Sequence, residues 1–182
     1  MAWEKIHIDG IWIYTPKVFE DERGYFFESY NQSEMPEDIR KINFVQDNES
    51  KSTQYVLRGL HYQLPPYSQS KLVRASLGEV IDVVVDIRPN SPTYGETFSI
   101  ILSQYNKKQM FIPKGFAHGF LVLSEEAIFN YKCDEYYKAT HEGGINPEDK
   151  NLKLGWSEFG NEFIISDKDK LYPNFGEHKI FE

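Results

Sequence analysis

The sequence predicts an all-β fold, either a sandwich or a barrel. Three observations carry this. Aromatic residues are abundant: 13 Phe, 12 Tyr and 3 Trp make up 15% of the 182 residues, and with β-branched side chains they favour strands. The apolar stretches are short and closely spaced. Turn-forming clusters separate them, with no alternation of strand and long helix of the kind a parallel α/β sheet requires.

Taken in order, candidate strands cover residues 11–18 and 25–30, separated by the turn Asp21-Glu22-Arg23-Gly24, and then 42–47 and 55–62. Leu64-Pro65-Pro66 breaks the chain before strands at 71–77 and 80–87. Arg88-Pro89-Asn90-Ser91-Pro92 precedes strands at 97–102 and 109–112, and Pro113-Lys114-Gly115 precedes those at 119–124 and 127–133. Proline fixes φ and glycine supplies left-handed backbone, so each cluster reads as a turn. Short helical pieces are predicted around residues 33–39 and after Ser166. Residues 80–87 are apolar on both faces, as inside a closed or sandwiched sheet. Asp82 and Asp86 interrupt this strand on one face, since side chains alternate with a period of two. Buried carboxylates need partners, so that face is either wet or the polar side of an ordinary strand. Nothing reads as a repeat, linker or low-complexity segment, and residues 1–182 are expected to form one domain.

Twenty Lys and Arg against 28 Asp and Glu give a net charge of -8. A polyanion binder shows a basic excess, so nucleic acid is not expected as a partner. No apolar run approaches the roughly 20 residues that cross a bilayer, and the first residues lack the pattern of a signal peptide. A lone cysteine, Cys133, permits no internal disulfide and fits a reducing compartment. A cytoplasmic protein is expected.

Of the five histidines, two lie in glycine-flanked strand contexts. These are Arg58-Gly59-Leu60-His61-Tyr62-Gln63 and Pro113-Lys114-Gly115-Phe116-Ala117-His118-Gly119-Phe120. The second has the Pro-x-Gly-x-x-His form of the second cupin motif, and cupins are jelly rolls, double-stranded β-helix barrels matching the strand count. Metal-binding cupins carry His-x-His and a following Glu in the first motif. Here the stretch reads His61-Tyr62-Gln63, with no suitably spaced Glu before Lys71. Two histidines alone make a poor first-row metal site, so no metal and no other cofactor is expected.

Seven segments in register then become specific: Phe19 to Glu28, Phe44-Val45-Gln46-Asp47-Asn48, Leu57 to Gln63, Lys71-Leu72-Val73-Arg74, Gly115 to Phe120, Tyr131-Lys132, and Ser166-Asp167-Lys168-Asp169. Together they resemble the dTDP-4-dehydrorhamnose 3,5-epimerase family, metal-independent cupins of deoxysugar biosynthesis, over residues 8–173. The resemblance implies inversion at C3 and C5 of dTDP-4-dehydro-6-deoxyglucose, en route to dTDP-L-rhamnose and cell-surface polysaccharide such as lipopolysaccharide. Both carbons flank a ketone, so the reaction needs a base, support for the enolate oxygen, and an acid on the opposite ring face.

The resemblance maps the base onto His61, its carboxylate partner onto Asp169, the enolate-supporting ammonium onto Lys71 and the acid onto Tyr131. It maps substrate contacts onto Arg23, Glu28, Gln46, Asp47, Asn48, Arg58, His118, Tyr137, Glu142 and Lys168, with Tyr137 stacking on the base. It also implies a homodimer in which N-terminal strands pack on the partner and carry nucleotide contacts with them. Each assignment has a structural alternative. Asp169 fits a capping box with Ser166, Lys71 a solvated strand edge, Tyr131 a core aromatic and His118 a core histidine.

Other readings are a narrower 3- or 5-epimerase, a ketoisomerase, a non-catalytic sugar-binding cupin or a metal-dependent dioxygenase. Arg58 and His61 are an odd number of residues apart, so a regular strand sends them to opposite faces. An irregularity at Gly59 is therefore expected. Residues 146–163 depart from the family pattern, and a changed surface loop is expected there.

Overall fold

The structure, a computed structural model, describes residues 2–160 and 162–182. Two six-stranded sheets stack into a jelly-roll sandwich. The strands are β1 (Ala2–Lys5), β2 (Trp12–Thr15), β3 (Phe19–Asp21), β4 (Gly24–Phe26), β5 (Gln46–Thr53), β6 (Val56–Gln63), β7 (Lys71–Leu77), β8 (Glu79–Asp86), β9 (Thr97–Ser103), β10 (Gln109–Ile112), β11 (Phe116–Val122), β12 (Glu126–Cys133), β13 (Glu142–Gly144) and β14 (Ile164–Ile165). Single-turn helices α1 (Glu37–Arg40) and α2 (Asp167–Lys170) complete the main elements. The first sheet runs β1-β2-β10-β7-β12-β5 and the second β13-β6-β11-β8-β9, with β14 parallel to β6. Strands β3 and β4 form a separate hairpin around the expected turn.

Strand alternation divides the apolar residues into three layers. Val73, Ala75, Met110 and Phe129 of the first sheet meet Val80, Val84, Phe120 and Val122 of the second in the central core. The outer face of the second sheet, with Ile81, Val83, Val85 and Leu121, is covered by Ile145, Leu152, Leu154, Trp156 and Ile165. The outer face of the first sheet presents Leu72 and Phe111 to Met35 and Ile39 of the α1 region. The divergent stretch 146–163 is therefore more than a surface loop. Its Trp156 is buried and donates Nε1–H to the Pro147 carbonyl at 3.0 Å, closing one side of the outer core.

One expected strand shifted by several residues, and β1 was not expected. Residues 42–47 were expected as a strand, yet the strand is β5 at 46–53, while Ile42 and Phe44 pack with α1. β5 reads QDNESKST, with no apolar alternation to reveal it. Its inward side chains line a cavity instead of the dry core. β1 is an edge strand, mostly exposed, so it too lacks a burial pattern.

The face of β8 carrying Asp82 and Asp86 is dry, and both carboxylates are fully buried. Asp82 meets His118. Asp86 accepts from Arg88 Nε at 2.9 Å and Nη2 at 2.6 Å, from Ser91 Oγ at 2.6 Å and from Thr93 Oγ1 at 2.7 Å. Burial alone would raise the Asp86 carboxyl, but these donors outweigh it and hold the group below the usual carboxylate range. A carboxyl with a lowered folded pKa stabilises fully above its unfolded pKa of about 3.9, and that stability is lost as pH falls through the folded value. Asp86→Asn should therefore cost about 3 kcal/mol at neutral pH. The melting-temperature gap between variant and wild type should shrink as pH drops below 4. A gap that stays constant through that range would refute the ionised network.

Candidate active site

The site is set by one irregularity in β6. Along this strand Val56 points into the sandwich, Leu57 and Leu60 point out, and Tyr62 points out again. The pairing of β6 with β11 shifts between His118 and Phe120: His118 faces His61, whereas Phe120 faces Arg58. Two steps on β11 thus span three on β6, with Gly59 as the extra residue. Gly59 sits at φ +126°, and a Cβ there would lie 2.5 Å from Gly119 Cα and 2.8 Å from the His118 carbonyl oxygen. Only glycine fits this crossing. The irregularity expected from parity is present, and it turns Arg58 and His61 to the same side.

That side is a cavity of about 180 Å³ lined by Arg58, His61, Lys71, His118 and Tyr131, with Ser50, Phe120 and Phe129 among its walls. An adjoining cavity of about 300 Å³ shares His61, Lys71 and Tyr131 and extends to Gln46, Asn48, Tyr137 and Glu142. Gln46 and Asn48 do share a wall: Gln46 Nε2 donates to Asn48 Oδ1 at 2.9 Å. Arg58 Nε is held by Ser52 Oγ at 3.0 Å.

Behind His61 stands Asp169 on α2. Its Oδ1 lies 2.7 Å from His61 Nε2 and its Oδ2 accepts the Gly59 N–H at 3.3 Å. Ser166 caps α2 by accepting the Asp169 N–H at 3.1 Å, so half of the capping box exists while both carboxylate oxygens are engaged on β6. Burial would raise the Asp169 carboxyl. The His61 hydrogen bond and charge, the Gly59 N–H and Ser166 overcome this and lower it, so it is ionised at neutral pH. With Nε2 taken by a carboxylate, Nδ1 is the ring nitrogen left for a ligand. The edge of Tyr172 meets the His61 ring at a centroid distance of 5.7 Å and limits its tilt.

Lys71 is driven toward its neutral form by burial, against the opposing influence of Cys133, Asp82 and Glu142. Among the described residues it makes no ion pair, and its ammonium lies 6.0 Å from the Tyr131 ring centre. Burial raises the Tyr131 phenol, with Cys133 adding and Arg58 opposing. It is protonated at neutral pH and can act as an acid without first being charged. At the mouth, Glu142 holds Lys168 Nζ at 2.6 Å and Tyr137 Oη at 2.8 Å. The Tyr137 N–H also donates to Gln46 Oε1 at 3.2 Å. Among the described residues no group of three or more His, Cys, Asp or Glu is placed to hold a metal ion.

Three expected contacts lie elsewhere. Asp47 alternates with Gln46 and Asn48, so it points out of the sandwich, where Lys132 Nζ pairs with it at 2.6 Å. Arg23 is 84% exposed in its side chain and pairs with Asp21 on the β3–β4 hairpin. Glu28 follows that hairpin and accepts from Asn31 Nδ2 at 3.1 Å. Sequence reasoning also missed residues. It left Asp82 without a partner, and Tyr172 and Ser52 belong to no motif that would have marked them.

A family model described as dTDP-4-dehydrorhamnose 3,5-epimerase matches residues 5–177. The chain belongs to this family. It is 54% identical over 166 residues to the dTDP-4-dehydrorhamnose 3,5-epimerase of Shigella flexneri, covering 91% of each chain. It is 47% identical over 182 residues to the enzyme of that name from Pseudomonas aeruginosa, covering 100% of this chain and 99% of the other. Among solved structures, it resembles a dTDP-6-deoxy-D-glucose-3,5-epimerase from Legionella pneumophila Philadelphia 1 in complex with dTDP-4-keto-L-rhamnose. That match has 44% identity and a TM-score of 0.91, and covers 97% of this chain and 93% of the other.

Gly59→Ala should both destabilise this family member and abolish turnover, because the added methyl forces β6 away from β11. Gly176→Ala is the control: it shares a positive φ, at +92°, but meets nothing within 4 Å. Thermal melts and turnover of both variants check this. Equal effects of the two substitutions would show that backbone strain, and not the close approach, matters at position 59.

Proposed function

We propose that this chain inverts C3 and C5 of dTDP-4-dehydro-6-deoxyglucose to give dTDP-4-dehydrorhamnose, within dTDP-L-rhamnose and surface-polysaccharide synthesis. The observation that supports this most strongly is the convergence of a carboxylate-backed imidazole, an ammonium and a protonated phenol on one cavity. The protons at C3 and C5 are acidic because each carbanion is an enolate of the C4 ketone. His61 Nδ1 takes the proton, and the imidazolium so formed is stabilised by Asp169 through Nε2–H, as carboxylates do in hydrolase triads. The Lys71 ammonium faces the negative charge that develops on O4. Tyr131 comes from the first sheet and His61 from the second, so the phenol returns a proton from the opposite ring face and inverts the centre. The Arg58 guanidinium suits a diphosphate oxygen, and Tyr137 offers a ring for the base.

The reading extends to a homodimer formed by single-domain chains in the cytoplasm. Phe19, Tyr25 and Phe26 on the β3–β4 hairpin are 54%, 57% and 65% exposed, an apolar patch that favours burial. Arg23 and Glu28 sit on or beside this hairpin, away from their own cavity, and suit contact with the nucleotide bound by a partner copy. No helix among the described residues is long and apolar enough to cross a membrane.

The test is a coupled assay containing the sugar nucleotide, this protein, a 4-keto-reductase acting on the epimerised product, and NADPH. NADPH oxidation should depend on this protein and fall by a factor of about 100 or more with His61→Ala. A flat trace with an active reductase would favour a sugar-binding role without turnover. Tyr131→Phe should slow inversion at C5 more than at C3 by NMR. Equal loss at both centres would contradict the part given to the phenol.

A further inference from the structure

The cavity holds a second imidazole backed by a carboxylate. His118 and His61 are direct cross-strand partners on β11 and β6. Both Asp82 oxygens lie close to His118 Nε2, at 3.0 and 2.9 Å. Asp82 is wholly buried on the inward face of β8, and His118 is 7% exposed. The His118 ring also stacks on Phe129 at a centroid distance of 6.0 Å and 27°, so its plane is fixed from the opposite sheet.

We propose that Asp82 is a positioning residue that holds His118 as the neutral Nε2–H tautomer, leaving Nδ1 unprotonated to accept a hydrogen bond from a sugar hydroxyl. The alternative is a protonated Asp82 donating to Nε2, which would turn Nδ1–H into a donor. The contact geometry decides between them. Both Asp82 oxygens lie at nearly the same distance from Nε2, 3.0 and 2.9 Å, as when one N–H is shared by the two oxygens of a carboxylate, whereas a carboxyl O–H donates from one oxygen only. Burial raises the Asp82 carboxyl, with His118 and Lys71 opposing. On this geometry the proton on Nε2 belongs to His118. The two histidines then divide the work: His61 meets carbon-bound hydrogen, and His118 meets a hydroxyl and keeps the ring from rotating about its diphosphate link.

The tautomer can be measured without substrate, in ¹⁵N-histidine-labelled protein at neutral pH. His118 should show a protonated Nε2 and a bare Nδ1, and Asp82→Asn should disturb that assignment. An Nδ1–H tautomer or a fully protonated ring in the wild type would overturn the proposal. The kinetic part rests on the epimerase reading. There, Asp82→Asn should lower kcat/KM by ~10-fold or more and add nothing to the loss caused by His118→Gln. A variant that melts earlier but turns over normally while folded, or losses that multiply in the double variant, would make Asp82 merely structural. If the wild type itself fails to epimerise, the functional reading falls while the tautomer result still stands.

Discussion

The passage of Gly59 against Gly119 is the constraint on which the candidate site depends. With no side chain on either residue, β6 and β11 approach closely enough to absorb an extra residue without parting. A Cβ on Gly119 would lie 2.6 Å from the Arg58 carbonyl oxygen and 3.1 Å from Gly59 Cα, so the fit is required from both sides. The extra residue converts an odd spacing into a shared direction. A guanidinium suited to phosphate and an imidazole suited to carbon acids then occupy one wall. The same Gly59 offers its N–H to Asp169, so the irregularity that aims His61 also anchors the group behind it.

The chain is acidic overall, yet the groups that reach the cavity are Arg58, Lys71, His61 and His118. The carboxyl groups that pair with the two histidines are set one layer back: Asp169 behind His61 and Asp82 behind His118. This arrangement leaves cationic and proton-transferring atoms for a ligand while keeping each buried carboxylate satisfied. The sandwich supplies both layers. Inward positions of β6, β7, β11 and β12 face the cavity, and β8 and α2 lie behind them.

Much of this was legible in the sequence, and the gaps have physical reasons. β8 announced itself by being apolar on both faces. β5 did not, because a strand whose inward face lines a polar cavity carries no hydrophobic signal. The odd spacing of Arg58 and His61 around a glycine was enough to predict the irregularity. Asp169 was ambiguous between cap and catalytic partner, since Ser166-x-x-Asp169 fits both. The structure separates the roles by atom: Ser166 oxygen caps the helix, and the carboxylate goes to His61. Asp47 lies on the other face of β5, paired with Lys132, as alternation with Gln46 and Asn48 requires. Asp82 was visible only as an interruption, because its partner is 36 residues away on another strand. The edge contact of Tyr172 with His61 depends on how the chain after α2 folds back, which no local pattern encodes.

Proton abstraction next to a carbonyl by the Asp169-backed His61 is the central chemical claim, and exchange with solvent measures it most directly. Wild-type protein and a His61→Asn variant would be incubated with dTDP-4-dehydro-6-deoxyglucose in deuterium oxide, and isotope at each ring carbon read by mass spectrometry and NMR. Deuterium is expected at C3 and C5 with the wild type, and at neither above the uncatalysed background with the variant. Epimerised sugar carrying no solvent isotope, or undiminished exchange in the absence of the imidazole, would contradict that chemistry.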